Sequence, residues 1–234
     1  MKIAVVGLAD FPIGKKAIAD ERLNTLEEII KPSGTTFIPV ELTDASALKG
    51  ADAVICEKEA KLDLIIADLE AVENRLYAAK DETETKLFTR AKDILEKNLC
   101  LCEENFTEEE KKLLFNYNLV SVKPVYFVDK AANMPPPARI LFDAYYAAGM
   151  ICFFTGAKDK ELRAWPIKKG TVALDAAGEI HSDIKRGFIK AEIVPSAELI
   201  KAGSLIAAKH STRLEGKEYV MQDGDFVVNF RFNV

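Results

Sequence analysis

The apolar positions change period several times along this chain of 234 residues, and each change predicts an element. Residues 2–6 (KIAVV) are short, β-branched and closed by Gly7, which predicts a buried strand. Residues 15–31 predict a helix. Ile18, Leu23, Leu26, Ile29 and Ile30 follow a helical stripe, and Pro32 ends it. TTFIPVEL (35–42) predicts a strand, with Pro39 marking an edge position or a bulge, and DAVIC (52–56) predicts another buried strand. From 60 to 98 the period turns helical. Leu62, Ile65, Ile66, Leu69, Val72 and Leu76 make one stripe, and Leu87, Phe88, Ala91, Ile94 and Leu95 make a second. The polar stretch 78–85 between them predicts two antiparallel helices joined near residue 81, their charges lying on solvated flanks.

Thr107 followed by Glu110 is a capping box and predicts a short helix start. Residues 124–128 predict a strand with Pro124 at its first position. The consecutive prolines of AANMPPPAR (131–139) predict a connector. A helix over 138–149 should stop at Gly149. Beyond Met150 the segments 187–194 and 225–234 alternate as strands do, and Asp223-Gly224-Asp225 is a turn signal. The expected domains are therefore 1–149, with the helical hairpin inserted at about 60–98, and 150–234.

With 49% hydrophobic residues and a mean hydropathy near zero, the composition is that of a globular protein. The longest apolar runs are too short for a membrane span, and the start of the chain lacks a signal-peptide pattern, so a cytoplasmic protein is expected. Charge is uneven. Residues 157–234 carry 13 Lys+Arg against 11 Asp+Glu, and residues 1–156 carry 19 against 26. A mildly basic tail on an acidic body permits an RNA contact but falls far short of a strongly basic nucleic-acid binder. Cys56, Cys100, Cys102 and Cys152 form no CxxC pair, so reduced thiols are expected and a metal is not.

Two stretches carry candidate chemistry. The first is GLADFPIGKKA (7–17). A phosphate-binding loop, G-x-x-x-x-G-K-[ST], aims backbone N–H groups, a lysine and a magnesium-binding hydroxyl at phosphates. Here Gly7, Gly14 and Lys15 remain, but six residues separate the glycines instead of four. Pro12 removes a donor, Lys16 stands where the hydroxyl belongs, and Asp10 brings negative charge. The second is the set ELRAWPIKKGT (161–171), AAGEIHSDIKRGFIKAEIV (176–194) and LEGKEYVMQDGDFVVNFRFNV (214–234).

That set strongly resembles the C-terminal end of the YchF proteins, the Obg-like P-loop ATPases/GTPases, whose last domain is a TGS module of β-grasp fold. Pro166 departs from the family's usual Thr. ADERLNTLEEIIKPSG (19–34) resembles a helix of the same family but follows the loop almost at once. The resemblance implies an α/β fold: a reduced P-loop-like parallel sheet with an inserted helical hairpin, followed by the β-grasp domain. It also implies what has changed. The switch Asp is present as Asp44, but its Gly is replaced in Asp44-Ala-Ser-Ala47, and Val128-Asp129-Lys130-Ala131 lacks the Asn that reads the base. The expectation is a catalytically inactive member with no catalytic residue and no cofactor. It binds RNA, the ribosome or a protein through Lys168, Lys169, Lys185 and Arg186. Gly7, Gly14, Lys15 and Asp44 are the vestigial nucleotide site. Weak ATP or GTP binding or hydrolysis using Lys15 is the alternative reading, and an interaction scaffold without ligand is another. His181, without a partner Cys or Ser, is expected to satisfy hydrogen bonds, and Trp165 to pack in the core.

Overall fold

A computed structural model of the chain describes residues 1–78, 81–131 and 134–233. Part of the stretch joining the two hairpin helices, part of the connector 131–139, and Val234 lie outside the described residues. The fold is mixed α/β and divides into two compact units, residues 1–16 with 40–148 and residues 17–39 with 149–234.

The first unit is built on a sheet of order β2-β4-β1-β5-β6. Its strands are β1 (Lys2–Val6), β2 (Gly14–Ala17), β4 (Pro39–Thr43), β5 (Ala53–Glu57) and β6 (Val125–Val128). β4, β1, β5 and β6 run parallel. β1 and β5 are buried nearly throughout, as central parallel strands must be. Pro39 opens β4, where no ladder donor is lost.

The hairpin consists of α2 (Lys61–Ala78) and α3 (Glu82–Glu96). Asp81 caps α3 by accepting from the N–H groups of Thr83 and Glu84 at 2.7 and 3.1 Å. The α3 stripe packs as its period predicts, with Leu87, Phe88, Ala91, Ile94 and Leu95 buried. The α2 stripe is rotated. The helix buries Leu64, Ile65, Asp68 and Val72 and leaves Leu62 and Ile66 exposed. Asp68 explains the rotation, since its carboxylate accepts from the N–H groups of Val120 and Ser121 at 2.8 and 2.7 Å. A buried carboxylate needs such partners, and they fix which side of α2 faces inward. Thr107 and Glu110 close their capping box at the start of α4 (Glu108–Asn116). α5 (Pro137–Ala147) ends before Gly149, whose φ is +72°.

The second unit carries a sheet of order β10-β9-β11-β7-β8-β3. Its strands are β3 (Gly34–Thr36), β7 (Met150–Thr155), β8 (Glu161–Lys168), β9 (Phe188–Pro195), β10 (Arg213–Glu215) and β11 (Asp225–Phe232). α6 (Ala173–Ile180) lays Ala173, Ala176 and Ala177 into a core with Phe153, Ile167, Ile193 and Phe230. α7 (Ser182–Arg186) follows, and α8 (Ser196–Ala202) contacts α1 (Glu21–Ile30).

Three expectations need correction. Residues 15–31 do not form one helix: 14–17 are strand β2 and the helix starts only at Glu21. The apolar stripe has no member before Ile18, and the Ile18 N–H bonds the Ile38 carbonyl at 2.9 Å. The run 35–42 is not one strand but two, β3 and β4, in different sheets. Third, residues 17–39 do not belong with the rest of 1–149 but with 149–234. β3 pairs with β8 in parallel, and Arg22 bonds Asp223 at 2.7 Å.

Two predictions test this packing. A methyl group at Gly187 would overlap the Asn233 carbonyl, although φ there is an ordinary −93°. Gly187→Ala is therefore expected to destabilise by crowding alone, by about 1–3 kcal/mol, read as a lower denaturation midpoint. An unchanged midpoint would mean that this close approach is not maintained. Cys56 and Cys100 are fully buried, and burial pushes both thiols up to about 12 from 9.0. At pH near 8 that lowers the thiolate fraction about a thousandfold. Both should resist alkylation in the native chain and react once it is unfolded, as mapped by mass spectrometry.

Candidate functional site

Backbone geometry at the end of β1 decides what the first loop can hold. Gly7 has φ +77°, and a Cβ there would meet the Cβ atoms of Ala60 and Glu57 at 2.7 and 2.8 Å, with Glu57 Oε2 at 3.2 Å. Only glycine fits, and the near neighbour is a carboxylate. Leu8 and Phe11 turn inward and are buried, with the Phe11 N–H bonding the Leu8 carbonyl at 3.1 Å. The loop borders a cleft of about 360 Å³ lined by Val5, Gly7, Phe11, Ile13, Asp44 and Ala45 among others, with no lysine or arginine in its lining.

Of the four residues expected there, Gly7 and Asp44 meet at this cleft. Gly14 and Lys15 do not line it, because they open strand β2, where Lys15 and Lys16 are exposed. The context of a phosphate loop, strand then loop then helix, is thus absent. No helix N-terminus stands at the end of this loop to supply aligned N–H groups. Asp44 is also committed elsewhere. It caps a 3-10 turn (Ala45–Gly50) by accepting from the backbone N–H of Ser46 at 2.8 Å and from its hydroxyl. Those hydrogen bonds hold its carboxyl below the ordinary 3.8. Asp129, where base recognition would lie, pairs with Lys58 at 2.9 Å and accepts from the Ala131 N–H.

Lys123 gave no sequence signal of its role. Its buried ammonium donates to the carbonyls of Leu48, Lys49 and Ala51, each at 2.7 Å, and so closes the 3-10 turn that Asp44 opens. Burial pulls this lysine below its ordinary range, against the opposing charges of Asp52 and Asp68. Asp68 did leave a trace: a carboxylate spaced i+3 from Ile65 and i−4 from Val72, on the side that helix packing buries.

In the second unit the four basic candidates differ from one another. Lys168 ends β8 and Lys169 follows it, both exposed and without an ion pair among the described residues. Lys185 pairs with Asp175 at 2.8 Å, and Arg186 pairs with Asp183 at 2.9 Å. Trp165 donates its Nε1–H to Thr155 Oγ1 at 2.8 Å. Its ring lies against Phe153, and the Arg163 guanidinium sits 4.1 Å from its centre. His181 caps α7, its Nδ1 accepting from the Asp183 N–H at 3.1 Å. Both residues therefore have structural partners.

The turn Asp223-Gly224-Asp225 is held from both ends. Asp223 accepts from the Cys152 N–H at 3.0 Å and from Arg22 at 2.7 Å. Buried Asp225 accepts from the Tyr219 hydroxyl and the Gln222 N–H. Burial and the Asp225 charge push Tyr219 up to about 12. Among the described residues no group of three or more His, Cys, Asp or Glu is placed to hold a metal, and no helix is long and apolar enough to cross a membrane.

Comparison with known proteins agrees with these motifs. Residues 150–233 match the family model YchF-GTPase_C, described as a protein of unknown function (DUF933). The "Ribosome-binding ATPase YchF" of Bacillus subtilis (strain 168) is 29% identical over 328 positions, covering 95% of this chain and 89% of that protein. An alignment of 328 positions against 234 residues leaves at least 94 positions without a counterpart here. The "Ribosome-binding ATPase YchF" of Mycoplasma genitalium (strain ATCC 33530) is 45% identical over 113 residues, or 47% of this chain and 30% of that protein. The fold matches the structure of the Schizosaccharomyces pombe YchF GTPase with a TM-score of 0.77 at 19% identity, over 99% of this chain and 97% of that one. The sequence matches along nearly the whole chain, the terminal family model and the shared fold lead to one conclusion: the chain belongs to the YchF family.

Proposed function

We propose that this chain is a family member that does not hydrolyse nucleotide and that binds the ribosome, through RNA, with its TGS-like β-grasp module at residues 150–234. The observation that carries the first half is that the loop after β1 runs into the edge strand Gly14–Ala17 and not into a helix. Phosphoryl transfer rests on positioning and on a metal that neutralises charge. This loop offers neither the N–H cradle nor the hydroxyl, and Glu57 and Asp44 stand where an anion would approach. The second half is supported by the name of the Bacillus subtilis relative and by a terminal module that keeps its family pattern while the loop has lost its own. A ribosomal partner would place the chain in the cytoplasm.

Lys168 and Lys169 lead in this reading, because their charges are free for phosphates. Lys185 and Arg186 are already paired and would have to exchange a carboxylate for a phosphate.

Two measurements test the proposal. With Mg-ATP or Mg-GTP, turnover should not exceed that of Lys15→Ala. No thermal shift should appear, whereas a ligand at 100 times its Kd would add about 2.7 kcal/mol. A shift of roughly 5–10 °C that Lys15→Ala abolishes would restore the nucleotide-binding reading. The full chain should also co-sediment with purified ribosomes at low salt and be released as salt rises, since phosphate contacts release counterions. Lys168→Glu with Lys169→Glu should weaken binding more than Lys185→Glu with Arg186→Glu, at an unchanged denaturation midpoint. Salt-insensitive binding, or none, would favour a scaffold without ligand.

A further inference from the structure

We infer that the outward face of helix α2 is a docking surface for a basic amphipathic helix of another protein. Three large apolar side chains lie on it: Leu62 is 50% exposed, Ile66 62% and Tyr77 93%. Leu62 and Ile66 are about one helical turn apart, and Tyr77 lies eleven residues, just over three turns, beyond Ile66. All three therefore fall on one side of α2, along about 22 Å of helix. Asp68 turns Leu64, Ile65 and Val72 inward, away from this side, which α3 reaches at Glu73 through its ion pair with Lys92 at 2.8 Å.

Charge selects the occupant. Glu59, in the turn leading into α2, and Asp63 and Glu70 on the helix border the apolar row, all exposed. None has an ion-pair partner among the described residues, although Lys58 and Lys61 are close in sequence, because those lysines pair with Asp129 and Glu103. An apolar stripe beside a row of free carboxylates is complementary to a helix with apolar residues at i, i+3, i+4 and i+7 beside a row of Lys or Arg. Two copies of this face would set their own carboxylates against each other, and a nucleic acid would bring phosphates to them. Both are thereby disfavoured. The inference goes beyond the ribosomal reading and does not depend on it.

The test uses the full chain and two synthetic helical peptides of about 18 residues, long enough to span the stripe. They share leucines at i, i+3, i+4 and i+7, and one carries a row of lysines where the other carries glutamates. By fluorescence anisotropy the lysine peptide should bind at least tenfold more tightly than the glutamate peptide. Ile66→Asp should abolish that binding. The triple change Glu59→Lys, Asp63→Lys and Glu70→Lys should reverse the preference. All these positions are exposed, so the denaturation midpoint should stay within a few degrees. In cytosol from the host, a photoreactive group at position 77 should label Lys/Arg-bearing segments of other proteins. Equal binding of the two peptides, binding that survives Ile66→Asp, or labelling confined to a second copy of the chain or to RNA would overturn the inference. No ribosome enters the peptide assay, so its result is separable from the co-sedimentation result.

Discussion

The carboxylate of Asp20 is the constraint that fixes the start of α1 and its tie to the turn at Asp223. It is buried, it accepts from the Arg22 N–H at 3.0 Å as the cap of α1, and it binds the Arg22 guanidinium side-on through Nε and Nη2. Burial alone would lower the pKa of that guanidinium; hydrogen bonds to Asp20 and Asp223 outweigh it and raise it. A buried carboxylate paired in this geometry holds its cation firmly, and Arg22 carries the connection on to the turn at Asp223. The helix N-terminus nearest in sequence to the glycine loop is thus filled by a carboxylate of its own chain. That cap takes the Arg22 N–H and places a negative charge at the helix start, where it would repel a phosphate.

The first sheet holds together by burying β1 and β5 and by satisfying a few internal polar groups completely. Asp68 and Lys123 do this from two sides, one binding the backbone at 120–121 and the other binding three carbonyls at 48–51. A small core stabilises a unit less, so connections made by buried, fully bonded charges matter more. The same bonding that orients α2 leaves apolar side chains on its outward side, so the internal polar contact and the outer surface have one cause.

Legibility in the sequence followed the range of the interaction that decides each element. β1, β5, β6, the two hairpin helices, the capping box at Thr107 and the stop at Gly149 rest on neighbours a few residues away, and the pattern of residues revealed them. The segment 14–39 was misread because its pairing lies far off: Gly34 is matched to Glu161, Arg22 to Asp223. The rotation of α2 was hidden for the same reason, since Asp68 finds its partners at 120–121. At the glycine loop the spacing, Pro12 and Lys16 were plain in the residues, whereas the strand that follows the loop was not. The ion pairs that occupy Lys185 and Arg186 likewise come from side-chain geometry that no spacing rule reports.

Strand β2 has one further consequence. It ends its sheet, with β4 on one side and no neighbour on the other among the described residues, so half of its backbone donors and acceptors face outward. Such a margin is a template on which a second chain can stack, and unguarded edges of this kind seed aggregates. Two adjacent exposed ammonium groups, Lys15 and Lys16, stand on this margin. Strand-to-strand stacking there would bring four like charges together. Lys15 and Lys16 therefore disfavour such stacking by charge alone, an effect that involves no nucleotide.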